Sequence, residues 1–165
     1  MTSVSCATST FCAAIGTNDV VTYNGTSWSK ALFIDPNPPG ISNEITSVSC
    51  PTTTFCAVVD EAGNVLTYNG TTWSKPTTVD SNHPAEMAAG NLDSPFTVTC
   101  TSATFCVAFD LDASTYTFNG RTWSEPATID PLADAAKAMN LDSISCPVAD
   151  FCMAIDSMGH ALTGS

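Results

Sequence analysis

Short apolar blocks recur along this chain in a fixed order, and each block is bounded by polar turn residues. One block in every copy is apolar almost without interruption, at residues 11–15, 55–59, 105–109 and 151–155. A strand buried on both faces has this pattern, whereas a half-buried strand alternates apolar and polar positions. The blocks are also rich in β-branched and aromatic residues, which favour strands. The pattern therefore predicts an all-β protein built from short strands.

Each copy holds four such blocks, which predict four strands, a to d. Block a reads Ser-Val-Ser-Cys or a close variant and ends at Cys6, Cys50, Cys100 and Cys146. Block b is the apolar run, and block c ends in Asn-Gly, a strong hairpin signal. Block d contains Trp-Ser and, in two copies, Pro76 or Pro126, which only an edge strand tolerates. The predicted order in each sheet is a, b, c and d, with d outermost.

The repeat period predicts the architecture. From cysteine to cysteine it is 44, 50 and 46 residues, the range in which arrays of small sheets occur. A sheet whose middle is buried on both faces needs a similar sheet on each side, which radial stacking supplies. We therefore predict a β-propeller of four-stranded antiparallel blades, with repeats at about 1–45, 46–95, 96–142 and 143–165. A β-sandwich is the minor alternative, since its strands would alternate more strongly.

The eight cysteines form four pairs with one spacing: Cys6/Cys12, Cys50/Cys56, Cys100/Cys106 and Cys146/Cys152. A fourfold copy of one local pattern favours four identical bridges within the pairs, each stapling the a–b hairpin of one blade. Zinc would need closer ligand spacing or nearby histidines, and the chain has only His83 and His160. We expect no metal and no cofactor. Disulfides imply an oxidising compartment, so we predict a secreted, extracellular protein.

Charge and hydropathy exclude several classes of partner. Sixteen Asp and Glu against four Lys and Arg give a net charge of −12. A field of this sign repels phosphate backbones and anionic lipid, so we expect neither nucleic acid nor membrane as a partner. The first residues have neither a basic start nor a long apolar run, so we expect a mature or excised form without a signal peptide.

Two resemblances to known repeats follow from these motifs. The turns at residues 22–28, 67–73 and 117–123 (Thr-Tyr-Asn-Gly-Thr-Ser-Trp in the first) resemble the Asp-box of sialidase-type propellers, with one residue fewer and Asn for Asp. The chain also resembles the Ser-Val-Ser-Cys, Phe-Cys, Tyr-Asn-Gly and Trp-Ser repeats of secreted actinobacterial propellers. Some of those are lectin-like and some are attached to hydrolases. The resemblance implies a propeller fold and leaves the activity open.

The residue inventory argues against catalysis. A sialidase-like site needs several arginines, and this chain has only Arg121. Asp60, Asp110 and Asp156 supply carboxylates for glycoside hydrolysis, but they recur beside tight turns, where Asp caps its own turn. We therefore name no catalytic residue, although a glycoside hydrolase remains a third and weaker hypothesis.

Candidate ligand-binding residues lie in the long d–a connections and in the repeated tryptophans. The connections at residues 35–43, 80–93 and 130–142 differ most between copies, and binding usually sits in such loops. An exposed tryptophan offers a flat apolar face to a sugar ring, although a residue repeated in every blade is also what inter-blade packing needs. The candidates are Asn43, His83, Glu86, Asn91, Asp93, Asn140, Asp142, Trp28, Trp73 and Trp123.

These observations predict a secreted binding module. The first hypothesis is a carbohydrate-binding, lectin-like module with repeated weak sites that add by avidity. The alternative is a module that binds an extracellular protein or targets a larger secreted protein. Three copies are complete, and the fourth reaches Ser165 after block c. We therefore expect self-association to close the ring, or part of a longer propeller, rather than a lone four-blade monomer.

Overall fold

Strands dominate the computed structural model, which describes residues 1–36, 43–80, 97–110, 114–128, 141–149 and 151–164. These residues form fifteen strands. In chain order they are β1 (Ser3–Thr8), β2 (Phe11–Ile15), β3 (Asp19–Tyr23), β4 (Leu32–Phe33), β5 (Ile45–Thr52), β6 (Phe55–Asp60), β7 (Asn64–Tyr68), β8 (Thr77–Thr78), β9 (Thr97–Ser102), β10 (Phe105–Phe109), β11 (Ser114–Phe118), β12 (Ala127–Thr128), β13 (Leu141–Val148), β14 (Phe151–Asp156) and β15 (Ala161–Gly164).

The strands form four antiparallel sheets, here called blades 1 to 4. Blade 1 has the order β1-β2-β3-β4, blade 2 β5-β6-β7-β8 and blade 3 β9-β10-β11-β12. Blade 4 has three strands, β13-β14-β15. This confirms the predicted propeller class, with three four-stranded blades and a three-stranded fourth. Strands β1, β5, β9 and β13 contact one another in series, and the series does not close into a ring.

Apolar clusters between successive blades form the core. Ala13 and Ile15 of blade 1 pack on Val58 and Leu66 of blade 2. Blade 2 packs on blade 3 in the same way, and Phe109 of blade 3 packs on Ala154 of blade 4. Strand b of blades 1 to 3 is therefore buried on both faces, as its apolar run predicts. In blade 4 the same strand alternates exposed and buried residues.

All four predicted disulfides are present: Cys6–Cys12, Cys50–Cys56, Cys100–Cys106 and Cys146–Cys152. The first and third pairs lie directly opposite each other in the a–b hairpin, with Cα atoms 3.9 Å apart. A bridge across facing residues joins the two inner strands of one blade. The cysteines thus reinforce each blade individually, and the contacts between blades are left to apolar packing and hydrogen bonds.

Serine hydroxyls link the inner strands of neighbouring blades. The amide of Cys50 donates to the Ser5 hydroxyl of blade 1, and the amide of Cys100 donates to the Ser49 hydroxyl of blade 2, both at 2.9 Å. The Val98 amide likewise donates to Ser47 at 3.3 Å. Each hydroxyl satisfies an amide at the inner edge of the next sheet. This pairing explains why block a repeats serine or threonine at alternate positions.

The Asn-Gly pair marks the c–d hairpin, but only its glycine is a central residue of the turn. The Asn24 amide donates to the Ser27 carbonyl, so Gly25 and Thr26 are the central pair. The Asn24 side chain accepts from the amides of Thr26 and Ser27, in an Asx turn. Gly25 has φ +94°, and Thr10 lies against its Cα, so a side chain would be strained and crowded there.

Strand d begins later than its sequence block. Trp28, Trp73 and Trp123 form isolated bridges to strand c, and the edge strands follow at β4, β8 and β12. The reason is the serine after each tryptophan. The Thr22 amide donates to the Ser29 hydroxyl at 3.0 Å instead of to a carbonyl, which interrupts the backbone ladder.

Candidate functional site

Asn43, one of the predicted ligand-binding residues, is buried in a polar cluster between blades 1 and 2. Its side-chain amide donates to the Asp60 carboxylate at 2.8 Å and to the Asp35 carboxylate at 3.2 Å. Its side-chain oxygen accepts from the Ala62 amide, and its carbonyl accepts from Asn18. Asp35, Asn43 and Asp60 are all buried. The cluster ties the d–a connection to the β6–β7 turn.

Two carboxylates that share one amide raise the question of glycoside hydrolysis. Asp60 also accepts from the backbone amides of Ala62 and Asn64 and from the Asn64 side chain. Asp35 and Asp60 are 1% and 0% exposed, so neither carboxylate reaches the surface. An acid–base pair must touch its substrate. The arrangement therefore serves the structure of the inter-blade contact.

The pKa of Asp35 is raised to about 6, first because burial disfavours its charged form and second because Asp60 lies nearby. In unfolded chain the group titrates near 3.8. Between these values the folded state holds a proton that the unfolded state has released. The contribution of Asp35 to stability is therefore complete below about pH 4 and falls as pH rises to about 6.

We expect the contribution of Asp35 to make the free energy of unfolding decrease as pH rises through this range. Asp35→Asn is expected to abolish that contribution. Urea unfolding of both proteins at pH 4, 5, 6 and 7, with the disulfides intact, measures it. As pH rises, the free energy of unfolding of the wild type is expected to fall relative to that of Asp35→Asn. Above about pH 6 the difference between the two proteins is expected to stay constant. A difference that is constant across this range would contradict the assignment.

The recurring aspartates at the end of strand b cap turns, as predicted. Asp110 accepts from the Ser114 amide, and Asp156 accepts from the amides of Met158 and His160. His160 Nδ1 also lies 2.7 Å from the Asp156 carboxylate. Burial raises the pKa of Asp156, but the hydrogen bonds from His160 and Met158 outweigh it and hold the pKa below its ordinary value.

The three tryptophans have different surroundings. Trp73 packs on the cluster between blades 1 and 2, and Trp123 packs on the cluster between blades 2 and 3. Trp28 belongs to blade 1 and is about half exposed. Each tryptophan also contacts the ring of Tyr23, Tyr68 or Phe118, with centroids 5.3 Å apart. Trp73 and Trp123 thus act as wedges between blades.

A groove of about 430 Å³ lies between blades 2 and 3, beside Trp123. Val65 and Phe118 form an apolar floor. Blade 2 also contributes Thr67, Ser74, Thr77, Thr78 and Val79, and blade 3 contributes Arg121, Thr122, Ser124 and Glu125. Among the described residues, the Thr67 and Thr77 hydroxyls and the Arg121 guanidinium have no hydrogen-bond partner, so the groove offers donors and acceptors to a ligand.

The equivalent positions between blades 1 and 2 carry other side chains. Leu32 and Phe33 replace Thr77 and Thr78, since both pairs face the same positions of strand c. In the following hairpin, Thr71 and Lys75 stand where blade 3 has Arg121 and Glu125. The contact between blades 1 and 2 therefore does not repeat the polar lining of this groove.

The other predicted site residues have separate outcomes. His83, Glu86, Asn91, Asp93 and Asn140 lie outside the described residues, as do most residues of the connections at 80–93 and 130–142. Asp142 is exposed on β13 of blade 4, away from the groove. The structure places Trp123 in the groove and Asn43 in the buried cluster, so it does not bring the described candidates together.

Sequence reasoning missed Arg121 and Glu125, although a signal was available. Function in a repeat protein tends to lie where the copies disagree, and we applied this idea to the long connections. The c–d hairpins also disagree, with Thr26, Thr71 and Arg121 at one position. The same comparison within the hairpins would have found the groove residues.

The described residues contain neither a metal-binding cluster nor a membrane-spanning helix. No group of three or more His, Cys, Asp or Glu side chains in this part of the chain is placed to hold a metal ion. In the same residues there is no helix with the length and apolarity needed to span a bilayer.

Known proteins resemble this chain in fold. No family model and no curated protein sequence matches the chain. Solved structures do match it. The β-propeller domain of Cps50 (Swd1) from Myceliophteria thermophila has a TM-score of 0.69 and 12% identity over 98% of this chain and 50% of its own. YCF48 from Cyanidioschyzon merolae has a TM-score of 0.61 and 19% identity over 98% of this chain and 49% of its own.

A third match is YCF48 bound to a D1 peptide, with a TM-score of 0.54 and 12% identity over 99% of this chain and 64% of that one. The chain therefore spans between about half and two thirds of the length of these structures. At these identities the likeness concerns the fold alone. On its strand order, inter-blade packing and structural neighbours, the chain is a β-propeller array of disulfide-stapled blades.

Proposed function

We propose that the protein is a secreted binding module whose groove between blades 2 and 3 holds a carbohydrate. The observation that carries the proposal is the groove itself, about 430 Å³ in volume, with an apolar floor and polar walls. A sugar presents an apolar ring face and a rim of hydroxyls. Ligand sites commonly combine such an apolar surface with a few placed polar groups.

The groove chemistry fits a ligand that both donates and accepts hydrogen bonds. Glu125 accepts only, the Arg121 guanidinium donates only, and the threonine hydroxyls do both. Ser74 and Ser124 are less available, because each hydroxyl already donates to the next carbonyl, of Lys75 and Glu125 respectively. Arg121, Glu125, Thr67 and Thr77 are therefore the groups we assign to the ligand.

The sequence predicted repeated weak sites, whereas we now propose one ligand site within the described structure. At the contact between blades 1 and 2, exposed Leu32 and Phe33 stand where the polar groove has threonines. Four disulfides in so small a protein support an extracellular setting. Self-association, also predicted from the sequence, stays a separate proposal.

A glycan array at high protein concentration, followed by calorimetric titration of any hit, tests the proposal. Arg121→Ala and Glu125→Gln are each expected to weaken binding about tenfold, since a hydrogen bond to a charged group contributes about 1.5 kcal/mol. Lys30→Ala is the matched control, because it removes one exposed cation from the blade 1 hairpin, which lies outside the groove. The Lys30→Ala variant is expected to bind the glycan with the same affinity as wild type.

Absence of signal for every glycan would overturn the carbohydrate assignment. Equal affinities of Arg121→Ala and wild type for a glycan that does bind would move the site elsewhere on the molecule.

A peptide ligand is the second candidate, because one structural neighbour, YCF48, is described as bound to a D1 peptide. The same groove offers partners for a polar extended chain. Selection from a random peptide library, repeated with Arg121→Ala, separates the two ligands. Peptides enriched by wild type and lost with Arg121→Ala, together with a silent glycan array, would favour protein binding.

A further inference from the structure

Every blade has two different faces, which repeat along the chain. The leading face is the one turned toward the next blade, and it carries Ala13 and Ile15 in blade 1 and Ala57 and Val59 in blade 2. The trailing face is turned toward the preceding blade, and in blade 2 it carries Val48 and Cys50. Each of the three contacts between blades joins a leading face to a trailing face.

The leading face of blade 4 has the apolar side chains of the series, but none of the described blades lies over it. Phe151, Met153 and Ile155 are 45%, 37% and 50% exposed. Their counterparts in blade 3 include Phe109, which is 1% exposed, and Val107, which is 6% exposed. The residue types are those of an inter-blade core, and only the covering partner differs.

The trailing face of blade 1 is exposed along its inner strand, whereas Ala14 and Val21 farther out on this face are buried. Val4 is 61% exposed, whereas Val48 and Val98, at the same position of blades 2 and 3, are 6% and 5% exposed. Cys6 is exposed, whereas Cys50 is buried. The chain thus presents an exposed leading face on blade 4 and an exposed inner strand on the trailing face of blade 1, at opposite ends of the array.

The hydrogen-bonding groups of the contact are also present at both ends. Between blades, the residue before the cysteine in strand a accepts from the amide of the next blade's cysteine, as Ser5 does from Cys50 and Ser49 from Cys100. Ser145 occupies this position in blade 4 and is exposed. Cys6 is the corresponding cysteine of blade 1.

We propose that two copies of this chain associate head to tail, with the leading face of blade 4 of one copy on the trailing face of blade 1 of the other. Met153 and Ile155 pack on Val4 and Cys6 of the second copy, and Ser145 accepts from the Cys6 amide. The contact continues the series already formed within the chain. Since the chain spans about half of two solved propellers, two copies supply comparable length for one ring.

Charge sets a condition on this association. Each copy has a net charge of −12, so two copies repel one another at long range. The repulsion is screened by salt, whereas the apolar contact is not weakened by it. The dimer is therefore expected to be more populated in 0.5 M than in 0.05 M sodium chloride.

Light scattering on a sizing column, in 0.5 M salt, tests the proposal with the full 165-residue chain. Wild type is expected at twice 17.2 kDa. Ile155→Asp disrupts the leading face of blade 4 in every copy, and Val4→Asp disrupts the trailing face of blade 1 in every copy. Either variant alone is therefore expected at 17.2 kDa. An equimolar mixture of the two variants retains one good contact and is expected to recover mass toward the dimer at raised concentration.

The control is Leu32→Asp, the same kind of change at a residue that is 54% exposed on β4, on the face of blade 1 that is turned toward blade 2 and therefore outside the proposed contact. Its mass is expected to match that of wild type. Met153→Lys repeats the leading-face test with another side chain, and circular dichroism of each variant verifies folding.

Three results would overturn the proposal. Wild type at 17.2 kDa at every concentration and salt would mean that the two faces meet within one chain or stay open. A dimer that survives Val4→Asp but not Ile155→Asp, with no recovery on mixing, would show a symmetric contact of two leading faces. Masses of all variants equal to wild type would place the contact on another surface.

Discussion

Replacing Asn43 by alanine is expected to lower the free energy of unfolding by about 3 kcal/mol. The substitution removes two hydrogen bonds to carboxylates, those of Asp35 and Asp60, and one from the Ala62 amide. Both carboxylates are buried, so water cannot replace the lost donor without opening the contact between blades 1 and 2. A buried charge that loses its partner is among the costliest single defects.

Asn69→Ala is the matched control for Asn43→Ala. Asn69 also accepts several hydrogen bonds, from Thr71 and Thr72, but it lies exposed at a hairpin tip. Water replaces those bonds, and the expected loss is about 1 kcal/mol. Equilibrium urea unfolding of the three proteins at pH 7 measures the difference. Similar losses for both variants would contradict a special role for the buried cluster.

Leu66→Ala is expected to cost about 3 kcal/mol or more, because it opens a cavity in the core between blades 1 and 2. Leu66 is fully buried and faces Val58 in the adjacent strand. The repeat supplies an internal comparison, since Leu162 occupies the same register position opposite Ala154 of blade 4. Leu162 is only partly buried, in the smaller cluster between blades 3 and 4.

Leu162→Ala is therefore expected to cost about 1 kcal/mol, since less apolar area leaves water when it folds. Thermal and urea unfolding of both variants at low protein concentration give the two values. Equal costs would show that the contact between blades 3 and 4 is as well packed as that between blades 1 and 2.

Much of the fold was predictable from the sequence because each local pattern occurs in several copies of the repeat. One pair of cysteines six residues apart would leave the pairing open, but four such pairs indicate local bridges. The unbroken apolar run of block b requires burial on both faces, and only stacked sheets provide that for every copy. The turn-capping role of Asp60, Asp110 and Asp156 was predictable because it depends on neighbours within four residues.

The details of strand d were not predictable in this way. The Trp-Ser block looks like a strand in composition, yet the Ser29 hydroxyl accepts from the Thr22 amide and displaces the ladder. A side chain and a carbonyl compete there for one donor, and geometry decides the result. The candidate site could not be predicted from the sequence either, because Trp123, Arg121 and Thr77 come together only through the packing of blade 3 on blade 2.

The sequence by itself determined the strands, their order, the disulfides and the propeller class. These properties follow from local patterns and from the period at which they recur. Only the tertiary structure decided which copies of a repeated residue are covered. Val4 and Val48 occupy one position of the repeat, as do Val59 and Ile155, but their surroundings differ because burial depends on a neighbouring blade distant in sequence. The polar groove and the exposed surfaces at the two ends of the array are consequences of that placement.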